Sequence, residues 1–252
     1  MNATDFNEHF RFGSAGWADE HQMRAAGLFA ERGLPIGFLG RRTLRLEGDS
    51  PLITFGGAGT GKLTTVIGHI LCMAQDRSMI VLDPRGEIAA TFAPALMHRG
   101  FRVHRWNPYG LHGLTQDRCN PLQVIDPGSA TFHADCKLAA QALVSVTSKS
   151  DGKYFEQRGS GWVEALIKFS AEAAGRTSLP DLMRIVNLIE SGSAQWPNLI
   201  EAMTHSAFED VRRTAGEMLA KQQDSPREFG SIMGEIYASL SFLDDPALRA
   251  SV

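Results

Sequence analysis

The apolar positions of residues 50–106 fall into short unbroken runs separated by stretches with helical spacing. The runs are Leu52–Phe55, Met79–Leu82 and Phe101–Trp106, the last broken by charged residues. Apolar runs of strand length without alternation are typical of parallel strands that helices cover on both faces. Because strand and helix patterns alternate here, we predict an α/β fold with parallel strands near 51–55, 78–83 and 101–106.

Downstream of about residue 130 the apolar positions take the period of helices. The two clearest stripes are Phe155, Gly159, Trp162, Leu166 and Ala173, and Phe208, Val211, Ala215, Met218 and Gln222. Residues at such spacing share one helical face, which we interpret as facing the core. The predicted helices span 132–146, 155–174, 179–190, 208–222 and 229–243. The sequence thus predicts an all-helical domain over residues 129–252.

A short pattern near the N-terminus predicts a hairpin. Ile36–Leu39 is apolar, Thr43–Glu47 alternates with a period of two, and Gly40-Arg41-Arg42 joins the two segments. Alternation next to a connection that contains glycine is typical of paired antiparallel strands. We therefore divide the chain into an N-terminal segment with a hairpin (1–48), an α/β domain (49–128) and the helical domain (129–252).

Composition excludes several classes of protein. The chain has 43% hydrophobic and 21% charged residues and a net charge of −3, so it is a globular protein whose overall field does not favour non-specific nucleic-acid binding. Its three cysteines lack CxxC spacing, so we expect buried free thiols and neither a disulfide framework nor a zinc site. No apolar run approaches the roughly 18 residues of a membrane span, and we expect the chain as given to be soluble.

Candidate chemistry lies directly after the first apolar run, in the sequence Gly-Gly-Ala-Gly-Thr-Gly-Lys at 56–62. Its small residues allow positive φ angles and can direct several backbone N–H groups to one point, where a phosphate would accept them. The helical pattern that follows adds the partial positive charge of a helix N-terminus. The spacing is GxxxxGK, the P-loop, whose lysine reaches the β and γ phosphates of ATP.

This loop makes 49–128 a partial P-loop nucleotide-binding domain. The predicted cofactor-binding residues are Gly56, Gly57, Ala58, Gly59, Thr60, Gly61, Lys62, Leu63 and Thr64. The alternative is an ordinary glycine-rich loop between two elements. Such a loop does not require a strand, a turn and a helix in this order, whereas a P-loop does.

Leu63 departs from the P-loop pattern, because the residue after the lysine is normally a Ser or Thr whose hydroxyl ligates Mg²⁺. Thr64 and Thr65 follow, but successive helical residues point about 100° apart, so neither simply replaces the missing ligand. Phosphate binding survives this change, whereas the metal ligands stay unassigned. Asp83 ends the second apolar run, and ligands of open α/β sheets bind beyond the carboxyl ends of the strands. Lys62 and Asp83 are therefore the candidate catalytic residues.

Several motifs in sequence order resemble those of the type IV secretion coupling proteins, the conjugative DNA-transfer ATPases. They are GSAGWAD at 13–19, GGAGTGK at 56–62, VLDPRGE at 81–87, RWNP at 105–108, CNPL at 119–122, Tyr154-Phe155 and FLDDPALR at 242–249. The resemblance extends from Gly13 nearly to the end of the chain. The departures from the family pattern are Gly16 in place of Arg, Arg85 in place of Lys, and Leu63.

The resemblance implies a RecA-like nucleotide-binding domain, here partial, that is interrupted by an all-helical domain. Members of the family use ATP and Mg²⁺, assemble as homo-hexamers at the cytoplasmic face of the bacterial inner membrane, and deliver relaxase-bound single-stranded DNA or protein effectors to the type IV secretion channel. The family has N-terminal transmembrane helices and a second acidic motif, and we expect both to be absent from these 252 residues. ATP binding is therefore expected, with an incomplete machinery for its hydrolysis.

Two other functions remain open from the sequence. If Asp83 is itself the acidic motif, the chain is a P-loop kinase-like phosphotransferase that uses Asp83 as metal partner or base. The chain can also be a non-hydrolysing fragment that binds nucleotide or docks substrates, with its helical part carrying the useful binding surface.

Overall fold

The computed structural model describes residues 16–48, 51–73, 77–149 and 152–252. The described chain is mostly helical, with one two-stranded sheet, and it divides into two compact units, residues 1–103 and 104–252. Residues 13–15, which open the GSAGWAD motif, lie outside the described residues.

The first unit opens with a short helix and the hairpin. Helix α1 (Glu20–Ala25) begins with a capping box, in which the Asp19 carboxylate accepts from the Gln22 N–H at 2.7 Å and the Gln22 side chain accepts from the Asp19 N–H at 2.9 Å. Strands β1 (Leu34–Leu39) and β2 (Arg42–Leu46) pair antiparallel across a turn that contains Gly40 at φ 61°. The predicted hairpin is therefore confirmed.

Helices make up the rest of the first unit. A π-helical turn, Lys62–Ile67, continues into α2 (Gly68–Met73), and α3 (Glu87–His98) packs against α2. Gly68 lies at this contact, because a Cβ atom there would come within 2.6 Å of the Phe92 ring. Helix α2 also contacts β1, where the Phe38 and His69 rings lie edge to face at 4.5 Å. The helical segment after the loop is thus held from two sides.

The three segments predicted as parallel strands form no strands in the described structure. Among the described residues, β1 and β2 are the only strands. Ile53, Phe55, Ile80 and Leu82 are 74%, 90%, 103% and 89% exposed. An apolar run becomes a central strand only where other strands supply hydrogen bonds and helices cover both faces. The described residues supply no strand partner for these segments, so the predicted parallel sheet is not part of the described structure.

The second unit is helical, as predicted. Its helices are α4 (Phe132–Leu143), α5 (Gly152–Ala174), α6 (Leu179–Glu190), α7 (Trp196–Thr204), α8 (Glu209–Asp224), α9 (Pro226–Leu240) and α10 (Pro246–Ser251). No strand occurs in residues 152–252, all of which the structure describes. Polar caps start two of the helices: Ser178 accepts from the Asp181 N–H, and Asp245 accepts from the Ala247 N–H. Helices α7 and α10 were not predicted from the sequence.

The hydrophobic core of the second unit surrounds α5, which packs against α4, α6, α8 and α9. Trp162 and Leu166 on α5 and Met218 on α8 are at most 1% exposed, so the two predicted stripes do face the core. Ala173 and Gln222 were also assigned to these stripes, and both are exposed. Each lies within two residues of the end of its helix.

The cysteines are free thiols, as predicted, but only one of the three is buried. Cys72 and Cys119 are exposed, whereas Cys136 on α4 is fully buried. Burial raises the pKa of the Cys136 thiol to about 11. This thiol is therefore a neutral core residue at physiological pH.

The RWNP and CNPL motifs, together with Tyr109, bind the C-terminal helix α10 and the residue before it in the second unit. The Trp106 indole N–H donates to the Ser251 hydroxyl at 2.9 Å, the Cys119 N–H donates to the Ser251 carbonyl at 2.9 Å, and the Tyr109 hydroxyl donates to Asp245 at 3.2 Å. These bonds join the two ends of the unit around α10. Within the described residues, no helix has both the length and the apolar character needed to cross a bilayer.

Candidate functional site

The glycine-rich segment at 56–62 forms a tight loop in front of the π-helical turn. Gly59 and Gly61 have φ values of 73° and 83°, in the region that favours glycine. Gly56 has a second constraint, because a Cβ atom there would lie 2.8 Å from the Thr60 hydroxyl oxygen. The Thr60 hydroxyl in turn donates to the Gly57 carbonyl at 2.9 Å. Three of the predicted glycines are thus required by the shape of the loop.

The backbone N–H groups of the loop are available to a ligand. None of the N–H groups of residues 57–63 donates a hydrogen bond to another described residue, and residues 56–60 are exposed. Consecutive free N–H groups at a helix N-terminus attract anions, since the helix adds its own partial positive charge. The loop therefore has the donors that a phosphate needs.

Lys62 folds back over the loop. Its ammonium donates to the Gly56 carbonyl at 2.6 Å and to the Gly57 carbonyl at 2.5 Å. A lysine ammonium has three donors, so one N–H is left for a phosphate oxygen while the other two keep the side chain in place. The structure thus holds the predicted lysine charge at the loop.

Two threonine hydroxyls follow the lysine and bind the backbone. The Thr64 hydroxyl donates to the Gly61 carbonyl at 3.1 Å, and the Thr65 hydroxyl donates to the same oxygen at 2.8 Å. The Thr65 N–H also donates to it, at 2.8 Å. Leu63 has no polar side-chain atom. The first helical turn therefore directs both of its hydroxyl hydrogens at one carbonyl of its own backbone.

Asp83 has a structural partner that the sequence did not suggest. One carboxylate oxygen accepts from the Ala89 N–H at 2.9 Å, and the Gly86 N–H donates to the Asp83 carbonyl at 3.1 Å. Asp83 therefore caps the N-terminus of α3 across the turn Asp83–Gly86. Among the described residues no hydrogen bond or ion pair joins Asp83 to Lys62, so the contacts do not bring the two candidate catalytic residues together.

One of these contacts, the Asp83 cap, has a recognisable sequence signal, and the Lys62 contacts have none. Asp-Pro-x-Gly is a turn sequence, and an aspartate just before a helix is a common cap, so the capping role of Asp83 could have been predicted. The contact of Lys62 with the Gly56 and Gly57 carbonyls could not, because it depends on how the loop curves.

The second unit contains a cleft of about 540 Å³ between α5 and α8. Charged side chains line it, but they are largely paired: Arg158 donates to Glu217 at 3.0 Å, and Lys168 binds both Glu164 and Asp210. No group of three or more His, Cys, Asp or Glu residues with metal-binding geometry occurs in the described residues. The lining has three basic and three acidic side chains, so the charge of the cleft is balanced overall, and it lacks the row of free backbone N–H groups that the loop has.

Comparison with known families agrees with the order of the motifs. The family model for type IV secretory system conjugative DNA transfer matches residues 8–252. A comparison with curated proteins gives no significant match. Since the family model covers nearly the whole sequence, the chain belongs to the type IV secretory system conjugative DNA transfer family.

Proposed function

We propose that residues 56–64 bind ATP, within a RecA-like nucleotide-binding domain of a coupling ATPase that delivers DNA or protein substrates to a type IV secretion channel. Membership of the conjugative DNA transfer family supports the process. The glycine-rich loop and its lysine support the nucleotide.

The row of free N–H groups at residues 57–63 is the observation that carries this proposal. Exposed backbone donors that lack a protein acceptor give up no hydrogen bond within the protein when they bind a phosphate, and they gain charge-assisted hydrogen bonds. Gly59 and Gly61 let the backbone curve so that these donors are presented together. An ordinary surface loop would not also carry a lysine fixed over the same donors.

Each part of the loop has a distinct role in this proposal. The N–H groups bind phosphate oxygens, the third N–H of Lys62 binds the β or γ phosphate, and the Gly56 and Gly57 carbonyls hold the lysine in position. The helix that starts at Lys62 adds its partial positive charge. Bound ATP would supply the phosphoanhydride bond whose hydrolysis drives transport in a coupling ATPase, and the residues described here provide for its binding.

The partners follow from the family and remain proposals. They are relaxase-bound single-stranded DNA or protein effectors, components of the secretion channel, further copies of the chain in a hexamer, and attachment at the cytoplasmic face of the inner membrane. The kinase-like alternative is not favoured, because it needs the Asp83 carboxylate at the phosphates while that carboxylate caps α3.

Binding of a fluorescent ATP analogue to Lys62→Ala tests the proposal. Loss of a charge-assisted phosphate contact is worth roughly 1.5–3 kcal/mol, so the dissociation constant should rise by more than about tenfold. Lys137→Ala is the matched control, because Lys137 is an exposed lysine on α4 and its loss should leave affinity unchanged.

Circular dichroism of both variants checks that the fold is kept. Equal affinity of folded Lys62→Ala and wild-type protein would reject the loop as the nucleotide site. A similar loss in both lysine variants would instead indicate non-specific attraction of the analogue to positive charge.

A further inference from the structure

We propose that the loop at 56–64 binds nucleotides without a divalent cation. This inference rests on the proposed nucleotide site and concerns how that site compensates phosphate charge. P-loops normally hold Mg²⁺ through the hydroxyl of the residue after the lysine. Here that residue is Leu63, whose side chain has no oxygen to offer a metal.

The neighbouring hydroxyls do not fill the gap. Thr64 and Thr65 both donate to the Gly61 carbonyl, at 3.1 Å and 2.8 Å. A hydroxyl that bonds back to a carbonyl three or four residues earlier lies along its own helix. Each hydroxyl oxygen keeps its lone pairs, but a rotation that carried either oxygen away from Gly61 to reach a metal would give up this bond. Mg²⁺ demands near-ideal octahedral geometry from its ligands, and this arrangement does not offer it.

The carboxylate that the sequence suggested, that of Asp83, already has a structural partner. Asp83 accepts from the Ala89 N–H at 2.9 Å and so caps α3, and binding a metal would compete with that role. No cluster of three or more acidic, His or Cys side chains suited to a metal occurs elsewhere in the described part of the chain. The residues present therefore do not fit Mg²⁺.

Positive charge and hydrogen-bond donors of the protein compensate the phosphate charge in place of the metal. The free N–H groups of residues 57–63, the helix N-terminus and the remaining donor of Lys62 all belong to this one loop. These donors are fixed by the backbone, or by the carbonyls of Gly56 and Gly57, and none depends on a cation. Binding should then depend on salt, because the attraction is electrostatic and exposed to solvent, and not on magnesium in particular.

The test measures the dissociation constant of a fluorescent ATP analogue in excess MgCl₂ and in EDTA, at matched ionic strength. We expect the two values for the wild-type chain to agree within about threefold, less than the tenfold that 1.4 kcal/mol represents. Leu63→Thr restores the usual hydroxyl and should bind at least about tenfold more tightly with Mg²⁺ than in EDTA. Leu63→Val, which has the shape of threonine without its oxygen, should stay independent of Mg²⁺.

The outcomes separate this inference from the proposed function. A wild-type affinity that rises tenfold or more with Mg²⁺ would overturn the inference while leaving the nucleotide site standing. A Leu63→Thr variant that is folded and binds equally in both conditions would overturn the assignment of the missing ligand to Leu63. Absence of binding in both conditions would reject the nucleotide site itself.

Discussion

The Glu156 side chain accepts four hydrogen bonds from two neighbouring residues. Its carboxylate accepts from the N–H and hydroxyl of Ser148, at 3.0 and 2.8 Å, and from the N–H and hydroxyl of Thr147, at 3.0 and 3.2 Å. These donors, led by the Ser148 N–H, lower the pKa of Glu156 below its ordinary value of 4.5. The ionised carboxylate thus ties the segment after α4 to the first turns of α5.

Glu156→Gln should change how the stability of the protein depends on pH. Since the pKa is lowered in the folded state, the carboxylate stabilises the fold above about pH 4.5, and this contribution is lost as the pH falls through the folded-state pKa. We expect Glu156→Gln to melt at a lower temperature than wild type at neutral pH. The difference should shrink as the pH falls below 4.5.

The matched control is Glu201→Gln, on the exposed face of α7, which should melt like wild type at every pH. Thermal melts followed by circular dichroism between neutral and acidic pH measure all three proteins. A wild-type advantage that stays constant across this range would contradict the role of the ionised carboxylate.

At the scale of elements, Lys168 joins the two helices that line the cleft. It is 2% exposed on α5, and its ammonium binds Glu164 on the same helix at 2.5 Å and Asp210 on α8. Burial pulls the pKa of Lys168 down, but the hydrogen bonds to Asp210 and Glu164 outweigh burial and leave the pKa above 10.5. Lys168 therefore stays charged and serves as a buried connection between α5 and α8.

Lys168→Met should cost about 3 kcal/mol of folding stability, because it keeps the apolar length of the side chain but leaves two carboxylates without their cation. Chemical denaturation measures this loss. The triple variant Lys168→Met, Glu164→Gln, Asp210→Asn removes the uncompensated charges and should recover at least about 1.5 kcal/mol of it. A single-variant loss below about 1 kcal/mol would show that the ion pairs contribute little.

The helices could be predicted from the sequence better than the strands, for a physical reason. The backbone of α6 bonds to itself, so its local pattern predicted residues 179–190 with the observed bounds, and the structure adds the Ser178 cap. A strand at 78–83 needs partners from other parts of the chain, which a local pattern does not contain. The short α7 was not predicted, although its Pro197 lies in the first turn, where proline suits a helix.

The candidate site shows the same limit. Spacing alone predicted the glycines and Lys62, because GxxxxGK reports a local backbone shape. It gave Asp83 a chemical role, while the structure gives this carboxylate the N–H of Ala89 as partner. The back-bonded hydroxyls of Thr64 and Thr65 depend on the π-helical turn, which no spacing rule predicts.

At the scale of the whole molecule, the buried apolar side chains are unevenly distributed. Among the described residues of the first unit, the buried hydrophobic side chains are those of Leu71 and Ala93. The second unit has a continuous core that extends from Leu122 to Leu243. Since burial of apolar surface is the main favourable contribution to folding, cooperative stability should lie in the second unit.

Residues 104–252 should therefore fold when expressed without the first unit. All members of the connected core lie within this range, and the bonds of Trp106 and Tyr109 to α10 close the unit on itself.

A domain of this size with one continuous core usually unfolds in a single cooperative step. We expect circular dichroism and tryptophan fluorescence, to which the buried Trp162 and Trp196 contribute, to give coincident melts for this fragment, close to the main transition of the full chain. Residues 1–103 alone should show no sharp transition, because so few of their described apolar side chains are buried. A cooperative melt of residues 1–103, or non-coincident melts of residues 104–252, would mean that stability does not follow the distribution of the core.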